Sequence, residues 1–209
     1  MFDIETLTMF ITASFLLGLA PGPDNIFVLT QSILNGRLAG FVIILGLCTG
    51  LVFHTTIVAL GVAVIFQTSV LAFNILKYCG AAYLLYLAWQ AFRASASPIE
   101  LGERARLTFP QLYRRGIIMN ITNPKVSIFF MAFLPQFADP SKGPITLQLA
   151  LLGAIFILVT LAVFNGIAQL AGVIGGWISK SEKGELILNR IAGVVFVSLA
   201  IKLILTGQK

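Results

Sequence analysis

The chain has 209 residues, of which 58% are hydrophobic and 11% charged, and it carries a formal net charge of +6. A soluble domain has about 25% charged residues, so this composition excludes an ordinary soluble globular protein and indicates an integral membrane protein. The basic residues flank apolar segments and form no patch with aromatic side chains, which argues against a nucleic-acid partner. Cys48 and Cys79 lie within apolar segments and predict no disulfide framework.

Apolar runs that approach or exceed the roughly 20 residues needed to cross a bilayer recur along the chain. They predict an all-α membrane protein with six transmembrane helices, at about residues 5–33, 39–66, 69–92, 115–136, 146–177 and 186–206. We interpret residues 1–209 as a single transmembrane domain.

The distribution of Lys and Arg predicts which side of the membrane each loop faces. Nine basic residues fall in or beside the first, third and fifth loops, which the positive-inside rule places in the cytoplasm. These residues are Arg37, Arg93, Arg104, Arg106, Arg114, Arg115, Lys180, Lys183 and Arg190. Both termini are then expected outside the cytoplasm.

Six helices with this orientation divide into two sets of three. Because three is an odd number, the two sets enter the membrane from opposite faces, and inverted repeats of this kind are common in secondary transporters. We predict repeat 1 over about residues 1–93, a cytoplasmic loop over about 94–113, and repeat 2 over about 114–209.

A helix break is predicted at the same position in each repeat. The segment LGLAPGPDNIFVL at residues 17–29 aligns without gaps to IMNITNPKVSIFF at residues 118–130. The alignment pairs a proline with a proline and an acid with a base: Pro23 with Pro124, and Asp24 with Lys125. The first and fourth helices are therefore expected to break at equivalent depths.

Proline is suited to the first turn of a helix but not to its interior, so these prolines predict half-helices that begin within the membrane. Gly22 before Pro23 is interpreted as an N-cap, with Pro21 just upstream. Asn123 before Pro124 is interpreted in the same way. Backbone groups freed at this depth must be satisfied by protein or water, so we expect the breaks to line a cavity.

Asp24 and Lys125 follow the two breaks and bring opposite charges to this predicted cavity. Ionisable residues within a membrane are functional candidates by default, because burying them is costly. One interpretation is that they bind the two charged groups of a zwitterionic substrate or exchange a proton. The other is that they pair with each other and hold the two halves together. Both interpretations stay open.

Three polar residues on other helices are further candidates. His54, the only histidine, shares a helix face with Gly46 and Gly50, which predicts close helix packing and an inward-facing imidazole. It is a candidate proton carrier, because histidine titrates near physiological pH, or a packing residue. Asn165 and Gln169 lie four residues apart and are expected either to face the cavity or to bond a neighbouring helix.

Three stretches resemble a known family. They are LGLAPGPDNIFVLTQSILNGRLAGFVIILG, LKYCGAAYLLYLAWQAFR and RRGIIMNITNPKVSIFFMAFLPQF. In their order and spacing they resemble the lysine-exporter (LysE/RhtB) family of bacterial amino-acid exporters, of the homoserine/threonine/leucine-efflux type. The resemblance implies a secondary transporter of the cytoplasmic (inner) membrane that exports amino acids or close derivatives by alternating access with proton coupling. The positions that match the family motifs are Pro21, Gly22, Pro23, Asp24, Asn123, Pro124 and Lys125.

Other classes of function fit parts of the sequence. A membrane thiol-redox carrier of related six-helix fold would need facing cysteines near the breaks, whereas Cys48 and Cys79 lie away from both. An intramembrane hydrolase would use Asp24 with His54, but no nucleophile stands in a recognisable motif. A purely structural component would leave the charged breaks without a role. We expect no enzymatic activity, cofactor or metal ion; the expected partners are an amino acid, protons and the bilayer, and a homodimer is compatible with the sequence.

Overall fold

A computed structural model describes residues 2–62, 70–94, 107–171 and 182–205, which form eight α-helices. They are α1 (Ile4–Leu19), α2 (Pro23–Asn35), α3 (Arg37–Ile57), α4 (Val70–Arg93), α5 (Phe109–Ile121), α6 (Pro124–Ile128), α7 (Ile145–Gln169) and α8 (Glu182–Leu205). Wider π-helical turns extend α3 and α6, and short 3-10 turns follow α6, at Val58–Val62, Phe129–Phe133, Leu134–Phe137 and Pro140–Lys142. The ends of the second and fifth predicted helices and most of the predicted loop lie outside the described residues.

The order of the elements recurs along the chain. A bent pair of helices followed by two long helices, α1 to α4, is succeeded by the same order in α5 to α8. The bend between α1 and α2 is 60°, and the bend between α5 and the segment Pro124–Phe137 is 49°. Both bends coincide with the predicted prolines, so the prediction that the first and fourth helices break there is confirmed.

Two helices, α3 with its extension and α7, are each long and apolar enough to cross a membrane alone, with mean hydropathies of 2.2 and 2.6. Each bent pair also qualifies when it is taken as one broken span, which gives two to four candidate spans among the described residues. The helices α4 and α8 occupy the third and sixth predicted spans and have 24 residues each. They are not among the two to four candidate spans. The six-span arrangement as inverted repeats therefore stays a prediction.

The start of α5 corrects the predicted loop, which was expected to continue to residue 113. Phe109 begins the helix, and the N–H of Thr108 donates to Gln111 Oε1 at 2.8 Å, as in a capping box. Pro110 occupies the first turn, where proline is tolerated. Hydropathy alone placed the start too late, because most side chains of the first turns of α5 are exposed and several are polar.

Two clusters of buried apolar side chains hold the helices together, and each contains residues from both halves of the chain. The larger cluster is aromatic at its centre: the ring centroid of Phe129 lies 4.9 Å from that of Phe133 and 5.1 Å from that of Phe156. The smaller cluster packs Leu47 of α3 with Leu112 of α5. Because large aromatic rings contribute much apolar burial, the larger cluster fixes the segment that follows the second break.

Large apolar side chains also cover the outside of the described helices. Leu60, Leu71 and Leu158 are each more than half exposed. Soluble monomeric proteins rarely expose extensive apolar surface, so this surface is suited to contact with lipid.

Candidate functional site

Side chains bind the carbonyl groups at the end of α1, where the first helix breaks. The last carbonyl groups of any helix lack intrahelical donors. Lys125 Nζ donates to Leu17 O at 3.4 Å and to Ala20 O at 3.0 Å. Asn25 Nδ2 donates to Gly18 O at 2.7 Å. Three carbonyl groups freed by the first break are therefore satisfied by protein, in keeping with what the membrane interior requires.

The start of α2 places a carboxylate beside this break. Gly22 precedes the helix with extended backbone and Pro23 occupies the first turn, so the predicted helix start is confirmed. A Cβ at Gly22 would lie 3.1 Å from Lys125 Nζ, which means that the missing side chain leaves room for the ammonium group. Asp24 follows in the first turn, where the positive end of the helix dipole favours a negative charge.

The second break is organised by Asn123. Its Oδ1 accepts a hydrogen bond from Lys125 N at 3.0 Å, so the predicted N-cap of α6 is confirmed. Its Nδ2 donates to Asp24 Oδ2 at 2.8 Å in a buried contact. One amide group therefore caps the second break and holds the acid of the first.

Each break is thus completed by groups from the other half of the chain. Lys125 reaches the end of α1, and Asn123 reaches Asp24. In the part of the chain that the structure describes, the Asp24 carboxylate and the Lys125 ammonium group do not approach within 4.0 Å. These two charges therefore form no direct ion pair in this conformation, in which Asn123 binds Asp24 and Lys125 binds carbonyl groups of α1, and both interpretations of their role stay predictions.

A small cavity of about 20 Å³ lies between the two breaks. Its lining residues are Leu17, Gly18, Asp24, Leu47, Leu51, Asn120, Lys125, Val126, Phe156, Thr160 and Phe164. The prediction that the breaks line a cavity is confirmed. This volume holds about one water molecule, so in this conformation the site is too small for an amino acid.

Two of the residues that line the cavity have a buried oxygen atom to which none of the described residues donates a hydrogen bond: Asp24 Oδ1 and Asn120 Oδ1. The side chains of Asp24 and Asn120 are only 4% and 3% exposed. A buried acceptor without a donor costs about 1–3 kcal/mol and is rare in native proteins. With Lys125 beside them, these acceptors form a site that suits a ligand carrying both a hydrogen-bond donor and a negative charge.

The second polar feature near the cavity is the crossing of α3 and α5. His54 is buried, and its Nε2 lies 3.2 Å from the backbone carbonyl oxygen of Asn120. A Cβ at Gly46 would lie 2.2 Å from Tyr113 O, and one at Gly50 would lie 2.6 Å from Asn120 Oδ1. Glycine therefore permits the close approach, and the predicted packing and inward orientation of His54 are confirmed.

Asn165 and Gln169 do not line the cavity, so the first of the two expectations is wrong, whereas Gln169 bonds a neighbouring helix as the second expected. Both side chains are exposed, and Gln169 Oε1 accepts a hydrogen bond from Arg37 Nη1 at 3.2 Å. At 3.6 residues per turn they lie roughly 140° and 180° around α7 from Thr160, which lines the cavity. Their four-residue spacing does place them on one side of α7, but on the side away from the cavity.

Other residues at the site had not been expected there from the sequence. Asn120 lies three residues before Asn123, and an asparagine inside an apolar helix is the signal that would have indicated it. Asn25 directly follows Asp24. No sequence signal separates Thr160 from the other threonines of the helices.

The chain matches known proteins over most of its length. The family model described as LysE type translocator matches residues 15–207. The homoserine/homoserine lactone efflux protein of Salmonella typhimurium is 40% identical over 189 residues, which cover 90% of each chain. The uncharacterized membrane protein YrhP of Bacillus subtilis is 31% identical over 208 residues, covering 95% of this chain and 98% of the relative. The leucine efflux protein of Salmonella choleraesuis is 26% identical over 195 residues, which cover 93% of this chain and 92% of the relative. No solved structure matches the chain.

These matches confirm the resemblance to the lysine-exporter family that the sequence motifs indicate. The family model includes both proline breaks, and the relative from Salmonella typhimurium aligns over nine-tenths of both proteins. The chain belongs to the LysE type translocator family and is a multi-pass membrane transporter rather than an enzyme.

Proposed function

We propose that the protein exports a small neutral amino acid from the cytoplasm by alternating access, with proton coupling. The observation that carries the proposal is the small cavity between two proline breaks, which is lined by Asp24 and Lys125. A negative and a positive side chain at one buried site complement the ammonium and carboxylate groups of an amino acid. The names of the relatives, which refer to homoserine and to leucine, support a substrate with a neutral side chain.

Lys125 binds the substrate carboxylate in this proposal. A lysine ammonium group has three N–H donors, and two of them are used on Leu17 O and Ala20 O. The third donor is available for a carboxylate in the cavity. Because hydrogen bonds between charged groups are stronger than those to neutral carbonyls, a bound carboxylate weakens the hold of Lys125 on the end of α1. Substrate binding is thereby coupled to movement of the first break.

Asp24 receives the substrate ammonium group or a proton. Asn123 already donates a hydrogen bond to Asp24 Oδ2, so Asp24 Oδ1 is the acceptor that is available. A proton and an ammonium group compete for the same oxygen atom, and this competition links the outward movement of the amino acid to the inward movement of a proton. His54 is the second candidate in the proton pathway, since it contacts the backbone of Asn120 at the same site.

Alternating access requires the cavity to enlarge first toward one side of the membrane and then toward the other. We infer that two inverted repeats, each with three spans, rock about the two breaks. The recurring order of elements in α1–α4 and α5–α8 supports this arrangement. With the odd loops in the cytoplasm, both termini lie outside, in the inner membrane of a bacterium.

The proposal is tested by loading cells with individual amino acids and measuring which of them leave faster when the protein is expressed. We expect homoserine-like or leucine-like amino acids to leave faster, and we expect Asp24→Asn and Lys125→Ala to abolish this export at an unchanged amount of membrane protein. The double variant Cys48→Ser/Cys79→Ser is the control, and it should export at the wild-type rate because neither cysteine lines the cavity. Unchanged export in both charge variants would overturn the proposal.

A further inference from the structure

Asn120 lies three residues before Asn123 and has the features of a ligand-binding side chain. It lies on α5, lines the cavity and is 3% exposed. Its Oδ1 receives no hydrogen bond within the described part of the chain, whereas its backbone carbonyl group contacts His54. A Cβ at Gly50 would lie 2.6 Å from this Oδ1, so Gly50 provides the space that the carboxamide group occupies.

We propose that Asn120 Oδ1 and Asp24 Oδ1 together bind the ammonium group of the transported amino acid. This inference rests on the proposed function and adds a substrate-binding residue to it. Asp24 belongs to the first half of the chain and Asn120 to the second, so the ammonium group bridges the halves.

The chemistry of the two oxygen atoms favours an ammonium group over the other parts of the substrate. Both are acceptors, so a carboxylate would gain no hydrogen bond from either atom, whereas Lys125 offers it a donor. An aliphatic side chain would leave both acceptors unsatisfied. An ammonium group supplies three N–H donors, enough for both oxygen atoms at once.

A neutral amide in this position also explains why the site contains one acid and not two. A second carboxylate beside Asp24 would repel the first, and one of the two would take up a proton instead of binding the substrate. Asn120 adds an acceptor without adding charge. A hydrogen bond to a charged group is worth enough to change affinity by about tenfold or more, so the loss of Asn120 is measurable.

The test uses the full-length protein in liposomes and measures counterflow of a labelled amino acid that the wild type transports. We compare the wild type with Asn120→Leu, which is similar in size, and with Asn120→Ala, which avoids overpacking. Each protein is assayed with the amino acid that has a free amine. The competitor is the N,N,N-trimethyl analogue of that amino acid, whose nitrogen cannot donate hydrogen bonds. Thr49→Val is the matched control, because it removes the hydrogen bond between Thr49 and Tyr113 at the same helix crossing but away from the cavity.

We expect the wild type to prefer the free amine to its trimethylated analogue by about tenfold or more. Both Asn120 variants should raise KM by a similar factor and retain most of the maximal rate. They should also reduce the preference for the free amine over its trimethylated analogue. Thr49→Val should change neither KM nor this preference. Wild-type protein that binds both compounds equally would overturn the inference without any variant. A folded Asn120 variant with unchanged KM and unchanged preference would also overturn it. Absence of transport of every amino acid by the wild type would instead overturn the proposed function.

Discussion

The close crossing of α3 and α5 depends on Gly46, and alanine at this position is a direct test of the geometry. Its Cβ would lie 2.2 Å from Tyr113 O, whereas ordinary contact begins at 3.4 Å, so the helices would have to separate by about 1 Å. The obstacle is backbone and cannot rotate away. The opposite glycine, Gly116, has the same constraint, because a Cβ there would lie 2.5 Å from Ile43 O.

Overpacking of this kind costs about 1–3 kcal/mol, and for a chain of this length each kcal/mol shifts Tm by about 2–4 °C. We therefore expect Gly46→Ala to lower Tm in detergent by several degrees. It should also slow export, since separating the helices moves His54 and Asn120 apart.

The matched control is Gly166→Ala on α7, where no atom of the described residues lies within 4 Å of an added Cβ. Alanine is a better helix former than glycine by up to about 1 kcal/mol, so this variant should be as stable as the wild type or slightly more stable. Thermal denaturation followed by size-exclusion chromatography measures both variants. If Gly46→Ala were as stable as Gly166→Ala, the close approach of α3 and α5 would be refuted.

Three further predictions concern the second break, His54 and an ion pair outside the site. Asn123→Ala removes the N-cap of α6 and the hydrogen bond to Asp24, so we expect a loss of about 1–3 kcal/mol in thermal stability and slower export; unchanged Tm would contradict the linkage between the breaks. His54→Gln should retain exchange between equal amino-acid pools but lose its acceleration by a pH gradient, and equal acceleration would assign His54 to packing. The hydrogen bond to Asp3 raises the pKa of Lys142 above its ordinary value of 10.5, so this ion pair stabilises the protein below that pH and the effect is lost as the pH rises through the raised pKa. The Tm difference between wild type and Asp3→Asn should therefore be small and should vanish at alkaline pH, and a constant difference would contradict this origin.

The helix breaks could be predicted from the sequence because their signals are local. Proline after a capping residue favours a helix start whatever surrounds it, and both Gly22–Pro23 and Asn123–Pro124 begin helices as expected. Hydropathy predicts the start of α5 too late, because the signal for this helix start is the capping sequence around Thr108. Helix starts are set by backbone hydrogen bonding, and apolar content follows only where the helix is buried.

The site was predicted only as far as single residues reveal it. Asp24 and Lys125 were identified because charge within an apolar helix is costly and therefore informative. Their actual partners, Asn123 and the carbonyl groups of α1, depend on how the two halves pack, and no local pattern encodes that. Asn165 and Gln169 illustrate the same limit, because their spacing defines a shared helix face but not the direction in which that face points.

The cross-linked breaks give the proposed transporter a reason to move only when it is loaded. Opening the cavity separates Lys125 from the end of α1 or Asn123 from Asp24, and each hydrogen bond to a charged group contributes about 1.5–3 kcal/mol. Every 1.4 kcal/mol lowers the open population tenfold, so the empty site stays closed for most of the time. A bound amino acid offers Lys125 a carboxylate and offers Asp24 an ammonium group, which replace the contacts that opening removes. Lys125 and Asp24 therefore act both in the latch between the halves and in the substrate site, so a variant that weakens the latch without removing the charges, such as Asn123→Ala, should slow coupled export without losing affinity for the substrate.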